Sequence, residues 1–396
     1  MKVLVLSHMY PSTANEVSGI FVHEQVKALV EKGVDVRVVS PVPWAPFPVN
    51  RMSQKWKAYS RIPARSVWDG IKVSYPRYLA FPKGWFFASS GKHMYQGIKK
   101  VVAEIYREFP FDLIHAHVAL PDGYAAMLVA NKLAKPFVVT IHGADAYVTV
   151  SRNRQCHEGV SKVVEAAARV IVVSERLKQV LGKKLGEVKN NMTVIYNGVS
   201  LSKAYPGQVS KTDSSKILLS LGYLIERKGH RYVLEAVAQL LPRYPELRYL
   251  IAGSGPLRPD LEALTRKLGI QSNVQFLGFV PNKDLPRLLS LCDIFVLPSW
   301  DEAFGVVYLE AMLNGKPVIG CQGEGPEDFV EHGKTGLLVK PRNVESLIEA
   351  LDFLLSHPDE AKAMGERARE VVLANYTWEK NAEKTIAVYR EVLNER

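Results

Sequence analysis

The chain is poor in the features that mark secreted, metal-clustered or membrane-spanning proteins. Its 396 residues hold three cysteines, Cys156, Cys292 and Cys321. They are far apart and odd in number, so neither a disulfide framework nor a zinc cluster is expected, and a reducing cytoplasm fits. No uninterrupted apolar run approaches the roughly 18 residues of a membrane-spanning helix. At the N-terminus, MKVLVLSHMYP, the residues Ser7, His8 and Pro11 break the apolar run before a signal-peptide core can form. The expectation is a cytoplasmic protein, soluble or peripheral at the inner face of the membrane. No isolated Asp-X-Asp pair stands at a strand end, so no metal is expected.

Acid is also scarce. Lys plus Arg number 51 against 40 Asp plus Glu, a net charge of +11, which favours an anionic partner. The deficit concentrates between Trp44 and Lys100, where Asp69 is the sole acid among cations running from Arg51 to Lys100 and aromatics that include Trp56, Trp68, Trp85, Phe86 and Phe87. Rings and cations together suit an anionic membrane surface or a lipid-linked acceptor. The same residues also fit an insertion whose aromatics pack on the domain while its cations are solvated. Nucleic acid ranks last, and none is expected as a partner.

What is abundant is alternation of apolar strands and amphipathic helices. Met1 to Leu6, a helix over about Gly19 to Lys32 and Val34 to Ser40 predict an opening βαβ unit. Phe111 to Ile114, a helix over 123–133 and Pro136 to Ile141 predict another, with His115 and His117 in the loop after its first strand. The stretch from Gly198 to Lys216 has no apolar period, and KILLSLGYLIERKGHRYVLEAVAQLL restarts the pattern after it. The domains expected are 1–200, carrying the insertion of about 44–100, a linker at 201–215, a second domain at 216–376 and a closing helix at 377–396. Strands and helices in this order predict an α/β fold of two doubly wound, Rossmann-like parallel-sheet domains facing each other across a cleft.

Pro298 to Gly320, PSWDEAFGVVYLEAMLNGKPVIG, is the stretch with most chemistry. A buried strand leads into it, and a helix is predicted from about Phe304 to Leu313, stopped by Asn314-Gly315. Glu302 then precedes the helix N-terminus and Glu310 lies inside the helix. A helix N-terminus attracts phosphate, and carboxylates beside it accept hydrogen bonds from hydroxyls, a combination that suits a nucleotide sugar. Acids at a helix start also suit the macrodipole with no ligand at all.

Four elements carry a family resemblance. The spacing of Glu302 and Glu310 resembles the Glu-X7-Glu motif of retaining family 4 glycosyltransferases, which have the GT-B fold. TIHGAD, with His142 and Asp145, is similar to that family's HGxD element. The Lys228-Gly229 pair resembles its KG element, and the loop with Gly19 its glycine-containing first loop. The resemblance implies metal-independent sugar transfer from a nucleoside-diphosphate sugar, needing no cofactor, to a glycan or lipid-linked acceptor. The second domain would hold the donor and the first the acceptor. It implies His142 and Glu302 as catalytic, with Glu302 orienting the sugar. Gly19, Asp145, Arg227, Lys228, Phe279, Val280, Phe304, Gly305, Val306 and Glu310 would contact the donor, Glu310 at its ribose. Glu327 resembles an acid of the loop beside the donor. Tyr223 stands where the family usually has Arg, leaving Arg227 as the candidate second cation. A nucleotide-sugar epimerase of the same fold and a non-catalytic basic binding protein are the alternatives.

Overall fold

The computed structural model describes residues 1–44, 47–48, 54–81, 84–186, 191–206 and 215–395. Most of the expected linker and the cations Arg51 and Lys83 lie outside the described residues. The chain forms two compact units, Met1–Tyr196 with Trp378–Arg396, and Asn197–Thr377.

Among the described residues of the first unit the strands are β1 (Lys2–Leu6), β2 (Asp35–Val39), β3 (Val42–Trp44), β4 (Arg65–Trp68), β5 (Ile71–Ser74), β6 (Arg77–Leu79), β7 (Leu113–His117), β8 (Phe137–Ile141), β9 (Arg169–Val172) and β10 (Met192–Val194). Eight build one sheet in the order β10-β9-β8-β7-β1-β2-β5-β4, parallel except for the edge strand β4, while β3 and β6 pair separately. The central strands β1, β7 and β8 are buried on both faces, as helices on either side of a parallel sheet require. The helix Trp378–Asn394 belongs to this unit. Its Asn381 accepts from Gln25 at 2.7 Å, and its buried Tyr389 hydroxyl meets His115 Nδ1 at 2.6 Å.

The insertion is woven into this unit. It supplies β4, β5, β6 and the start of the long helix Ser90–Glu108. Tyr75 and Tyr78 are buried, and the Trp68 indole donates to the Tyr75 hydroxyl at 2.9 Å. Trp44, Phe47, Trp85 and Phe86 remain exposed.

Among its described residues the second unit has six parallel strands: β11 (Lys216–Leu221), β12 (Leu247–Ala252), β13 (Val274–Gly278), β14 (Ile294–Val296), β15 (Val318–Cys321) and β16 (Gly336–Val339). Their order, β13-β12-β11-β14-β15-β16, reverses direction between β11 and β14. The fold is the α/β pair of parallel-sheet domains that the strand and helix alternation predicts. A sheet of this kind opens a crevice at the carboxyl ends of the two strands flanking the reversal. In the second unit those ends carry the loops with Lys228 and Glu302. In the first the reversal lies between β1 and β7, whose loops carry His8 and Asp122. Among the described residues no helix is long and apolar enough to cross a membrane.

Candidate functional site

The crevice of the second domain joins two loops. After β11 the chain turns through Glu226–Lys228 into Gly229, which has φ +73° and opens the helix His230–Leu240. A Cβ on Gly229 would lie 2.4 Å from the carbonyl oxygen of Pro298, so the close approach that brings Lys228 to the second loop requires glycine. Gly229→Ala is therefore expected to cost about 2 kcal/mol or more. At roughly 2–4 °C per kcal/mol for a domain of this size, thermal melts should show a clear drop in midpoint.

Lys228 Nζ donates to Glu302 Oε2 at 2.5 Å, and Ser299 Oγ donates to the same oxygen at 3.1 Å. The Glu302 main chain is clamped as well. Its N–H donates to Glu324 Oε2 at 3.1 Å, and its carbonyl accepts from Gly325 N at 3.0 Å. Glu324 is thus the acid that fixes Glu302, whereas Glu327, similar to the family's loop acid, is exposed and caps Gly323 N at 2.8 Å. Arg227 donates through Nη1 to the Asp301 carbonyl at 3.1 Å, beside the Glu302 loop.

The helix after this loop is Val306–Leu313, two residues shorter at its start than the sequence pattern suggests, because Gly305 sits at φ +91° outside it. Val306 opens the helix. Phe304, expected among the donor contacts, is 2% exposed, with its ring against Phe329 at a centroid distance of 5.1 Å, which leaves only its main chain for a ligand. Glu310 is buried, with Lys203 Nζ 3.6 Å from its Oε1. Burial raises the Glu310 carboxyl above its ordinary range, and Lys203 only partly opposes this. Lys203 is held there because Asn314, just past the helix, donates to its carbonyl at 2.9 Å and accepts from Tyr205 N at 2.9 Å. Lys203 falls in the expected linker, and no periodic signal marks it. After β13, Phe279 is 66% exposed and Val280 half-buried.

In the first domain, Gly19 caps the helix Ile20–Glu31 at φ +63°, and a Cβ there would lie 2.2 Å from the Met9 carbonyl oxygen. His142 follows β8, with its ring 4.8 Å from Phe21 of that helix. His115 and His117 lie inside β7 rather than in the expected loop, because the strand runs on past its apolar residues. His115 stacks on His117 at a centroid distance of 4.4 Å and His117 on His142 at 5.2 Å, and His117 Nδ1 meets His142 Nε2 at 2.9 Å. Burial takes His142 and His115 down to about 3, so the column is neutral at physiological pH.

Asp145, expected to face the donor, is buried beneath a turn instead. Its Oδ1 accepts from Ala119 N at 3.0 Å and Leu120 N at 3.4 Å, and burial pushes its carboxyl up to about 7. The turn it holds begins at Val118, whose φ of +69° is strained for a β-branched residue by roughly 1–3 kcal/mol. That turn delivers Asp122, fully buried, whose Oδ1 accepts the His8 N–H at 2.7 Å and whose Oδ2 is in close contact with His8 Nδ1. Neither His8 nor Asp122 stands out in the sequence.

Two α/β domains, each built on a parallel sheet whose strand order reverses once, are the architecture of the GT-B fold. Residues 18–203 match the model of Glycosyltransferase Family 4, and residues 202–371 that of Glycosyl transferases group 1. TuaC of Bacillus subtilis, described as a teichuronic acid biosynthesis glycosyltransferase, is 28% identical over 401 residues, covering 99% of both chains. Sucrose-phosphate synthase from Thermosynechococcus elongatus shares the fold with a TM-score of 0.82 at 22% identity over the whole of both chains. HepE from Anabaena, solved with UDP and glucose, gives a TM-score of 0.74 at 20% identity, covering 99% of this chain and 100% of that one. The chain belongs to the family 4 glycosyltransferases.

Proposed function

We propose that the protein transfers a sugar, with retention of anomeric configuration and without a metal, from a nucleoside-diphosphate sugar to a glycan or lipid-linked acceptor of the cell envelope. The observation that carries this reading is the Lys228–Glu302 pair at the crevice of the second sheet, 2.5 Å apart, with buried Glu310 eight positions further on. Without donor each group neutralises the other, which a buried charge needs. With donor, the diphosphate takes Lys228, and a sugar hydroxyl takes Glu302. Arg227 and the N-terminus of the helix Val306–Leu313 add positive potential for the departing diphosphate. Glu310 accepts from the ribose hydroxyls, and exposed Phe279 stacks on the base. His142, neutral, hydrogen-bonds at the sugar. HepE, solved with UDP and glucose, supports a nucleotide sugar as donor.

The acceptor belongs to the first domain. Exposed Trp44, Phe47, Trp85 and Phe86 among many cations support peripheral contact with an anionic membrane surface at the cytoplasmic face. Proton NMR of the anomeric signal during turnover tests the chemistry. The product is expected to keep the donor's configuration, at a rate unchanged by EDTA. An inverted product, or activity that EDTA abolishes and a divalent metal restores, would refute it.

A further inference from the structure

Glu310 has to meet two demands that oppose each other. Two ribose hydroxyls donate, so the group serves both fully only as a carboxylate, since a protonated carboxyl spends one oxygen as a donor. Burial favours the protonated form and raises the group above its ordinary range. The opposing charge comes from Lys203, in the short turn Leu201–Lys203, whose side chain is 18% exposed beside a Glu310 side chain 12% exposed. The helices Leu285–Leu291 and Pro358–Asn375 and the strand β15 also pack on the helix of Glu310. Among the described residues, however, Lys203 is the one charged group that acts on its carboxyl. All of these elements belong to the second unit.

The pair is built differently from Lys228 and Glu302. Those two are in hydrogen-bond contact at 2.5 Å, whereas Lys203 Nζ stands 3.6 Å from Glu310 Oε1, beyond ordinary hydrogen-bond reach. Lys203 thus supplies charge without filling the carboxylate's acceptor positions. Its place is set by the main chain. The Asn314 amide nitrogen donates to the carbonyls of Glu310 at 2.8 Å and Lys203 at 2.9 Å, and its amide oxygen accepts from Tyr205 N at 2.9 Å. The residue that stops the helix therefore also ties the segment 203–205 to the turn that carries Glu310.

We propose that Lys203 is a positioning residue of the nucleotide site, keeping the Glu310 carboxylate ready for the ribose hydroxyls, with Asn314 as the clamp that holds Lys203 to the helix. The assignment rests on the nucleotide-sugar reading above and deepens it. Part of the ribose site then lies in a segment that precedes the first strand of the second sheet.

The test is calorimetric titration of UDP, GDP and ADP into the full chain, from acid to alkaline pH. Affinity should rise as pH rises through the titration of Glu310, and loss of the Lys203 charge should move that rise to higher pH. In the ratio of dissociation constants, Lys203→Met over wild type, the nucleotide's own titration cancels. The ratio should peak at about tenfold between the two titrations of Glu310 and fall toward unity above both. Lys203→Gln, which keeps a polar end, should behave like Lys203→Met, and Asn314→Ala should reproduce part of the loss. Lys203→Arg, which keeps the charge, should stay within about twofold of wild type. A ratio near unity at every pH would overturn the assignment alone. So would a large ratio independent of pH, which marks a direct ligand contact or a loss of structure. A wild type that binds none of the nucleotides overturns the nucleotide-sugar reading, and this assignment with it. Independently of binding, carbon NMR of the Glu310 carboxyl should show its titration displaced upward in Lys203→Met. An unmoved titration would overturn the pairing.

Discussion

Replacing Glu302 by Gln should lower kcat/KM roughly a thousand-fold, the scale of losing a preorganised electrostatic contact at a reacting centre. The substitution keeps size and the hydrogen bond from Ser299 but removes the charge that holds Lys228 at 2.5 Å. It should also cost about 1–3 kcal/mol of stability in the donor-free protein, because Lys228, 14% exposed, loses its counter-charge. Lys228→Met should cost a similar amount, and the double variant less than the sum, since either single change already breaks the same pair. Strict additivity in thermal melts would contradict a coupled pair, and near-normal turnover in folded Glu302→Gln would remove Glu302 from the chemistry.

The second large effect concerns Glu310 and takes opposite signs with and without nucleotide. Its carboxyl titrates above the ordinary 4.5 in the folded domain, so the folded state keeps a proton that the unfolded state has released. Stability from this group is fully present below pH 4.5 and is lost as pH rises through the folded-state value. Glu310→Gln removes that penalty. At neutral pH its nucleotide-free melting temperature should exceed that of wild type, and the difference should vanish on acidification below 4.5. With nucleotide the order should reverse, because Gln is a weaker acceptor for two ribose hydroxyls. A destabilised Glu310→Gln at neutral pH would show that Lys203 at 3.6 Å outweighs burial.

The sequence revealed elements more readily than meetings between them. Strands such as β11 and β14 are short apolar runs closed by Gly or Pro, and the helix Val306–Leu313 is stopped by Asn-Gly, so both were visible locally. His115 and His117 read as loop residues because a polar residue inside a fully buried strand looks like the start of a loop. Glu302 and Lys228, 74 positions apart, could be joined only through a family resemblance. His8 and Asp122 are 114 positions apart, and no motif marks them. They meet because β1 and β7 are neighbours at the reversal, a fact of strand order that local periodicity does not encode. Glu324 and Glu327 stand in the same short acidic loop, and local sequence does not encode that the Glu324 carboxyl turns inward to the Glu302 N–H.

The most direct measurement is a thermal-shift panel of UDP-, GDP- and ADP-sugars on wild type and Glu310→Gln without added metal, since a ligand that binds only the folded state raises its midpoint. One nucleotide family should stabilise wild type and lose most of that effect in Glu310→Gln. No shift with any of them at about a hundred times a micromolar dissociation constant, where roughly 2.7 kcal/mol of stabilisation is due, would contradict a nucleotide-sugar site in the second domain.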